Sequence, residues 1–559
     1  MSDITVFVAK KILTMDPGRP NGTAVAVRDG RILSVGTLET LEPWLKRYPH
    51  VIDETFAGKI IMPGLIDPHT HLHWAGAVVG LEYVGPIDSP NGRDKAVHGR
   101  EGVLDRLKQL HATLDDPNQP IFAWGFDPAF QGGHLDSDVL DQISKERPIW
   151  VLAYAIHYCY VNSAMMKLLG ASESMNLHGL GRYPDGRLNG QFIEIEATRF
   201  AMAPFQKEMA RPDSSERGMR ALAETAKRAG VTTVGDIGFG VTEFENAYEE
   251  HKRIVLSADY PLRTILTPAE SGVRNEIGEM TPEFIANLKT NRFNEKLRFH
   301  GVKFWADGSY QAMSLRLKYP FFLNGENGLR GEDEWSDLPD AMMPYWERGI
   351  QIHVHANGDE AVDAVLDALE ELQRRLPRFD HRFTIEHYMI STPAQARRLK
   401  ALGGVASVLI YYLHTRGQLQ NEAGLGPDRS EASARLGSLA REGVIFTLHS
   451  DHAFAVAPLH PLTAAWIAVT RLGSDGKTVL APGERIDRDL ALRAITVDAA
   501  YILRMENDIG SIEVGKLADF AILEEDPTEV EIERLKDIEI WGTVLAGVKQ
   551  PVKRGSYGQ

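Results

Sequence analysis

The chain has 559 residues, of which 43% are apolar and 25% are charged, and its formal net charge is -16. This length exceeds what one hydrophobic core usually holds, so we expect a large domain with a smaller companion. The negative charge argues against nucleic acid or an anionic membrane as a partner, because both are bound by clustered Lys and Arg. A single cysteine, Cys159, excludes an internal disulfide and a thiolate-rich zinc site.

The first residues lack the pattern of a signal peptide, and no run of about 18 apolar residues occurs in the chain. We therefore predict a cytoplasmic protein that does not enter a membrane. Any metal ion would have to be held by His, Asp, Glu or a modified Lys.

The two ends of the chain have similar sequence patterns, both typical of short β-strands. Residues 1–61 alternate apolar and polar side chains around turns such as Asp29-Gly30, and residues 511–559 contain the short β segments 519–523 and 538–547. We predict that residues 1–61 and 511–559 together form one small β-sandwich around a central domain of residues 62–510.

The central domain begins with an apolar strand that runs into His69 and His71. Alternate residues of a strand face the same side, so both histidines can point at one metal ion. An apolar run of this kind is typical of a buried parallel strand, and α/β barrels carry their chemistry at the carboxyl ends of such strands. The segment therefore indicates a metal site, which needs further ligands from elsewhere in the chain.

Farther along, helical stretches alternate with short apolar strands, the pattern of a parallel sheet or barrel. Several of these strands end on an ionisable residue, as catalytic strands of a barrel do. Residues from about 75 to 225 do not follow this alternation of helices and strands, and we expect them to form an insertion that covers the mouth of the barrel. The predicted strands are 231–236, 301–305, 351–355, 382–387, 404–408 and 444–451.

The ionisable residues at these strand ends form a set that suits a borderline-soft divalent ion such as zinc, which binds imidazole and carboxylate and keeps one position for water. An unmodified lysine ammonium would repel the ion, whereas a lysine carboxylated by carbon dioxide would be a ligand. The strand-end set is His69, His71, Lys303, His355, His387 and Asp451.

At these residues the sequence resembles the amidohydrolase superfamily, and within it the branch of amidohydrolase family 3 that includes the N-substituted formamide deformylases. The resemblance spans nearly the whole chain, and it is specific for the family but not for a substrate. The matching motifs are PGLIDPHTHLH at 63–73, AGVTTVGDIG at 229–238, VKFWADGS at 302–309, HVHANGDEAVDAVLDALE at 353–370, IEHYMI at 385–390, HSD at 449–451 and the segment 491–523.

The resemblance implies a (β/α)8 TIM barrel with a small β-sandwich built from both chain ends. It implies that His69 and His71 hold the more buried of one or two ions, and that His355 and His387 hold the second. Lys303 would be the carboxylated bridging residue, and Asp451 would bind metal and move the proton. The alternatives remain that His355 and His387 are core histidines and that Lys303 is a salt-bridged lysine near Asp307.

Other residues are predicted to contact the substrate or to support the ligands. His353 shares a strand face with His355, so it is either a further ligand or a hydrogen-bond partner behind the site. His449 is expected to orient Asp451. The predicted substrate-contacting residues are His157, which the family resemblance also indicates, with His73, Trp305, Trp124 and His353.

These observations predict an enzyme that hydrolyses a C–N bond of a small molecule, most simply an amide, N-acyl or N-formyl bond, with metal-activated water. A deaminase, a cyclic amide hydrolase or an ester hydrolase would use the same ligands. A non-catalytic binding or regulatory protein on the same barrel is the alternative from another class. A homo-oligomer is compatible with a large barrel, although no sequence feature determines it.

Overall fold

The computed structural model describes residues 3–72, 78, 81–87, 94–116, 118–205, 212–241, 243–331, 334–452, 455 and 457–552. His73 lies outside these residues. Within the described ranges, no helix is both long enough and apolar enough to cross a membrane.

The strands of the described residues are short, apart from two in the N-terminal region. In chain order they are Ile4–Leu13, Asn21–Arg28, Arg31–Gly36, His50–Pro63, Leu65–Thr70, Glu82–Tyr83, Ile121–Phe126, Ile149–Ala153, Tyr158–Val161, Leu180–Arg182, Leu188–Ile193, Val231–Phe239, Arg263–Pro268, Leu297–Phe299, Val302–Trp305, Ile352–Ala356, Thr384–His387, Val405–Val408, Phe446–Leu448, Phe520–Leu523, Ile540–Leu545 and Val548–Pro551.

The α-helices of the described residues are Leu38–Leu45, Gly99–Thr113, Ser137–Leu140, Ser163–Leu169, Glu194–Ala201, Pro212–Arg228, Phe244–Val255, Glu270–Ile277, Thr281–Asn291, Leu338–Glu347, Asp359–Arg375, Pro393–Ala401, Tyr411–Ala423, Pro427–Ser430, Leu436–Glu442, Pro461–Thr470, Arg488–Ala494 and Val497–Ile502. Short 3-10 helices occupy Gly278–Met280, Pro482–Glu484 and Ile532–Asp537.

Strands from both chain ends pair in one seven-stranded sheet. Ile61 of the N-terminal part lies opposite Ile522 of the C-terminal part, in antiparallel register. The rings of Phe7 and Phe520 meet edge to face, with 6.4 Å between their centroids. The prediction that the two ends complete one β structure is thus confirmed, whereas its division into the two layers of a sandwich stays a prediction.

The middle of the chain has a TIM-barrel-like α/β fold. Four parallel strands form one sheet and five form another, and within each sheet neighbours follow chain order. Single parallel bridges join the two sheets at both seams, from Ala269 to Lys303 and from Thr70 to His452. The predicted central strands are all present, and the predicted ligands lie within these strands, within Leu65–Thr70 or in the residues that follow them.

The helix Asp359–Arg375 illustrates why the connecting segments fold as they do. Its buried residues include Val362, Val365, Leu369 and Leu372, whose spacing of three or four places them on one face. Acidic residues in the first turn and basic residues in the last turn complement the helix dipole. The apolar face packs toward the parallel strand Ile352–Ala356.

The inserted segment has a sheet of its own. Six strands between Glu82 and Ile193 pair in a mixed sheet, which packs its own apolar clusters. Trp124 is buried in this insertion, where its ring lies 5.4 Å from that of Tyr154. The boundaries predicted for the insertion and for the domains stay predictions.

A fully buried ion pair ties the insertion to the central domain. Arg416, on the helix that follows Val405–Val408, contacts Asp127 of the insertion, and neither side chain is exposed to solvent. Gln311 donates a further hydrogen bond to Asp127, at 3.1 Å. The pair links segments that are far apart in sequence.

Replacing Arg416 by methionine is expected to lower the free energy of unfolding by about 3–5 kcal/mol, because Asp127 would remain buried without its counter-ion. Urea unfolding followed by circular dichroism measures the loss. The matched control is Arg187→Met, which removes an exposed pair with Asp185 in the same insertion and should leave the free energy of unfolding nearly unchanged. Equal effects of the two substitutions would contradict the structural role of Arg416.

Candidate metal centre

All six predicted ligands border one cavity at the carboxyl ends of the parallel strands, and the volume of this cavity is about 60 Å³. His71 is partly exposed and the other five are buried. The sequence therefore identified residues that the fold brings together. The six are His69, His71, Lys303, His355, His387 and Asp451.

The first group of converging donors consists of His69, His71 and Asp451. Oδ1 of Asp451 lies 2.9 Å from Nε2 of His71 and 3.3 Å from Nε2 of His69. Burial by itself would raise the pKa of the Asp451 carboxyl, but the hydrogen bond from His71 and the two histidines hold it well below its ordinary value. Asp451 is therefore a carboxylate, as a metal ligand or proton acceptor must be.

A second group of donors consists of His69, His387 and His449. His449 stacks on His69, with ring centroids 4.4 Å apart, and within the described residues neither of its ring nitrogens has a hydrogen-bond partner. We expected His449 to orient Asp451. The structure instead places it against His69 without a hydrogen bond to the carboxylate, because its ring turns toward the histidine cluster.

His355 packs against His387, with 4.4 Å between ring centroids, on the other side of the cavity. Its Nε2 lies 3.1 Å from the carbonyl oxygen of Gly308 and 2.9 Å from Nδ2 of Asn357. The backbone N–H groups of Asn357 and Gly358 donate to Asp307, which fixes the turn after this strand. His355 thus faces His387 but lies outside both groups of converging donors.

Lys303 borders the same cavity as His355 and His387. Its side chain is buried, and its Nζ has no hydrogen-bond partner among the described residues. Burial lowers the pKa of Lys303 to about 8, against the opposing effect of Glu386 and Asp451. The salt bridge to Asp307 that was the alternative for this lysine is not formed in the part of the chain that the structure describes.

Glu386 is the important residue that sequence reasoning missed. Its Oε2 lies 2.7 Å from Nδ1 of His69 and its Oε1 lies 2.6 Å from Nδ1 of His353. Burial opposes ionisation of Glu386, but His69 and His353 hold its pKa well below the ordinary value. The carboxylate fixes Nδ1 of His69 as a donor, which leaves Nε2 to face the cavity.

His353 therefore lies behind the site. One ring nitrogen contacts Glu386 and the other lies 2.9 Å from Nε2 of His300, and the residue is not part of the cavity wall. Of its three predicted roles, as ligand, substrate contact or hydrogen-bond partner, the structure agrees with the hydrogen-bond partner, because the ring lies behind His69 and away from the cavity. Trp124, buried in the insertion, also lies away from the wall, whereas Trp305 borders the cavity.

The insertion supplies the opposite wall. His157 borders the cavity with its ring 5.3 Å from that of His355. Its Nδ1 lies 2.6 Å from Oε2 of the buried Glu194. Burial opposes protonation of His157, but Glu194 raises its pKa overall. Ile156 and Met202 add apolar surface to the same wall.

Several non-glycine residues at the site have a left-handed backbone. The φ angles are +72° at His387, +54° at Asp451 and +65° at Glu194. Such conformations are uncommon outside glycine, asparagine and aspartate, and they persist where the surrounding structure imposes them. Their presence at His387 and Glu194 indicates that the fold holds these side chains in place at an energetic cost.

The fold and the site define a TIM-barrel-like α/β protein with a buried histidine and carboxylate cluster at its strand ends. The model of the amidohydrolase family matches residues 56–549, and the chain belongs to that family. Family membership supports a hydrolase.

Two curated relatives match nearly the whole chain. Protein LONG AFTER FAR-RED 3 of Arabidopsis thaliana is 31% identical over 92% of this chain and 85% of its own. N-substituted formamide deformylase of Arthrobacter pascens is 24% identical over 100% of this chain and 99% of its own. A solved structure of an uncharacterized metal-dependent hydrolase from Pyrococcus horikoshii OT3 has a TM-score of 0.70 at 20% identity, covering 95% of this chain and 99% of its own. That last likeness concerns the fold.

Proposed function

We propose that this protein is a metal-dependent hydrolase of a C–N bond in a small molecule, most simply an amide or N-acyl bond, with N-formyl amines as the first class to test. The observation that carries the proposal is the approach of Asp451 to Nε2 of both His69 and His71, at 3.3 and 2.9 Å. The full-length similarity to an N-substituted formamide deformylase supports the choice of bond.

The residues present fit one or two divalent ions. Buried imidazole and carboxylate donors converge within 4.8 Å of one another, and zinc is bound by these donors. His69, His71 and Asp451 would hold one ion. His355 and His387 would hold a second, with Lys303 between the two sites.

Lys303 would become a ligand through carboxylation. Its neutral Nζ adds to the carbon of CO2, a new N–C bond forms, and one proton is released, so that a carbamate with one negative charge results. The lowered pKa of Lys303 favours the neutral amine that this reaction needs. The geometric support for carboxylation is that Nζ of Lys303 is buried and has no hydrogen-bond partner among the described residues.

A bound divalent ion would supply a water of lowered pKa and polarise the substrate carbonyl. Asp451 accepts the proton of the attacking water and delivers it to the departing nitrogen, because an amine leaves poorly unless it is protonated. His157, held by Glu194, is placed to contact the carbonyl or another polar group of the substrate. Trp305, Ile156 and Met202 would pack against its apolar part.

We further propose that the two parallel sheets close one eight-stranded barrel, with Leu297–Phe299 and Val302–Trp305 as the halves of its fourth strand. The single bridges at both seams support this closure.

Metal removal tests the function directly. Protein stripped with a chelator is expected to lose hydrolysis of an N-alkyl formamide and to regain it with zinc or another divalent ion. The same assay compares the matching acetamide, an ester with the same acyl group and an aminopurine, with amine or ammonia release as the signal. Turnover of the ester or the aminopurine alone would favour the esterase or deaminase alternative. Absence of both metal and hydrolysis would favour a binding or regulatory protein.

A further inference from the structure

A line of four hydrogen-bonded side chains runs behind the metal centre. His69 contacts Glu386 at 2.7 Å, Glu386 contacts His353 at 2.6 Å, and Nε2 of His353 contacts Nε2 of His300 at 2.9 Å. His300 is therefore connected to a predicted ligand, although its own ring lies outside the cavity wall of the site.

The donors and acceptors along this line follow from the carboxylate. An ionised Glu386 accepts at both oxygens, so Nδ1 of His69 and Nδ1 of His353 are its donors. Nδ1 of His353 carries the hydrogen of that bond, so its Nε2 acts as the acceptor toward His300 and needs a donor. Nε2–H of His300 is that donor, and burial, which holds the pKa of His300 well below its ordinary value, keeps the ring neutral.

The backbone conformation at Gly301 allows the rings of His300 and His353 to meet. The strand pairing is interrupted between Phe299 and Val302, and Gly301 has a φ of +66°. A Cβ at Gly301 would lie 2.9 Å from Cδ2 of His353, closer than real Cβ contacts allow. The N–H of His300 donates to the carbonyl oxygen of Leu266 at 2.9 Å. Glycine is therefore needed where His300 meets His353.

We propose that His300 is a positioning residue for the metal centre: by donating to His353 it holds Glu386 in place, and through Glu386 it keeps Nε2 of His69 aimed into the cavity. The inference rests on the proposed function in that His69 holds a metal ion. Partners of metal-binding histidines typically change metal affinity by about 10–100-fold when they are removed. His300 acts two residues farther out than Glu386, through an unbroken chain of hydrogen bonds.

The test compares His300→Leu, which removes the donor, with His300→Gln, whose side-chain amide restores one. His300 also borders a second cavity, near Ile350 and Gln351, so the replacement side chains have room to adjust. The matched control is His381→Leu, because His381 is a buried histidine that bonds the backbone of Phe383 and Leu402 and has no contact with the line of side chains behind His69. Zinc dissociation constants of all four proteins are measured by competition with a chromogenic chelator.

His300→Leu is expected to raise the zinc dissociation constant about tenfold, whereas His300→Gln and His381→Leu stay close to the wild-type value. His381→Leu should lower the thermal midpoint of the metal-free protein, which separates loss of stability from loss of positioning. Equal zinc affinity of wild type and His300→Leu, in a wild type that binds zinc and hydrolyses amides, overturns this inference alone. A wild type that binds no divalent ion overturns the proposed function and this inference together.

Discussion

Asp451→Asn is expected to lower kcat by about 10²–10⁴-fold while the protein remains folded, because the amide cannot take the proton of the attacking water or pass it to the leaving nitrogen. The substitution preserves size, and asparagine tolerates the left-handed backbone at this position, where φ is +54°. The backbone N–H of residue 451 keeps its bond to the carbonyl oxygen of His69. Steady-state kcat and KM on the best formamide or amide substrate measure the effect.

The control for Asp451→Asn is Asp498→Asn, because Asp498 is also buried but pairs with Arg493 away from the cavity. This control should lose some stability and keep its kcat. Elemental analysis of both variants separates loss of metal from loss of proton transfer. A rate near that of the wild type in Asp451→Asn, with metal bound, would refute the assigned role of Asp451.

Lys303→Ala is expected to abolish most activity and to reduce the metal content from about two equivalents per chain to one or fewer. The physical reason is that a carboxylated Lys303 would be the ligand shared by both ions. At pH 7 a lysine of pKa about 8 is neutral in about one chain in ten, against about one in three thousand for an ordinary lysine. Elemental analysis of protein purified without chelators gives the metal content.

Short carboxylic acids are expected to restore part of the activity of Lys303→Ala, because they can occupy the space of the missing carbamate. The matched control is Lys227→Ala, since Lys227 is a buried lysine that pairs with Glu224 on a helix. One equivalent of metal in both the wild type and Lys303→Ala would instead indicate a mononuclear site in which Lys303 is structural.

The strand-end ligands could be predicted from the sequence because the period of a strand and the geometry of parallel sheets leave few choices. The same rule predicted that His353 lies on the same strand face as His355. It did not predict how far along the strand from the cavity His353 would lie. Two residues correspond to roughly 6.6 Å along a strand, and that distance puts His353 beside Glu386 instead of the cavity. The distance of a side chain from the cavity depends on the register between neighbouring strands, and the sequence of one strand alone does not determine that register.

Glu386 had a visible signal, since an acidic residue within the short strand Thr384–His387 must be paired if that strand is buried. The partner could not be identified, because His69 is more than three hundred positions away. His300 gave no such signal, because its proposed role depends on the contact between its Nε2 and Nε2 of His353 on the neighbouring strand. The contact of His157 with Glu194 likewise depends on how distant parts of the inserted segment fold against each other.

The seven-stranded sheet can be completed only after the C-terminal strands have been synthesised. Residues Ile60–Pro63 pair with Phe520–Leu523, so this part of the strand leaves the ribosome long before its neighbour is synthesised. Until then its edge exposes unpaired backbone groups, which favour pairing with other chains. Pairing between such distant segments is also slow. Yield in the cell should therefore depend on protection of the nascent N-terminal strands, and shortening the chain before Phe520 should cause aggregation even with every predicted metal ligand retained.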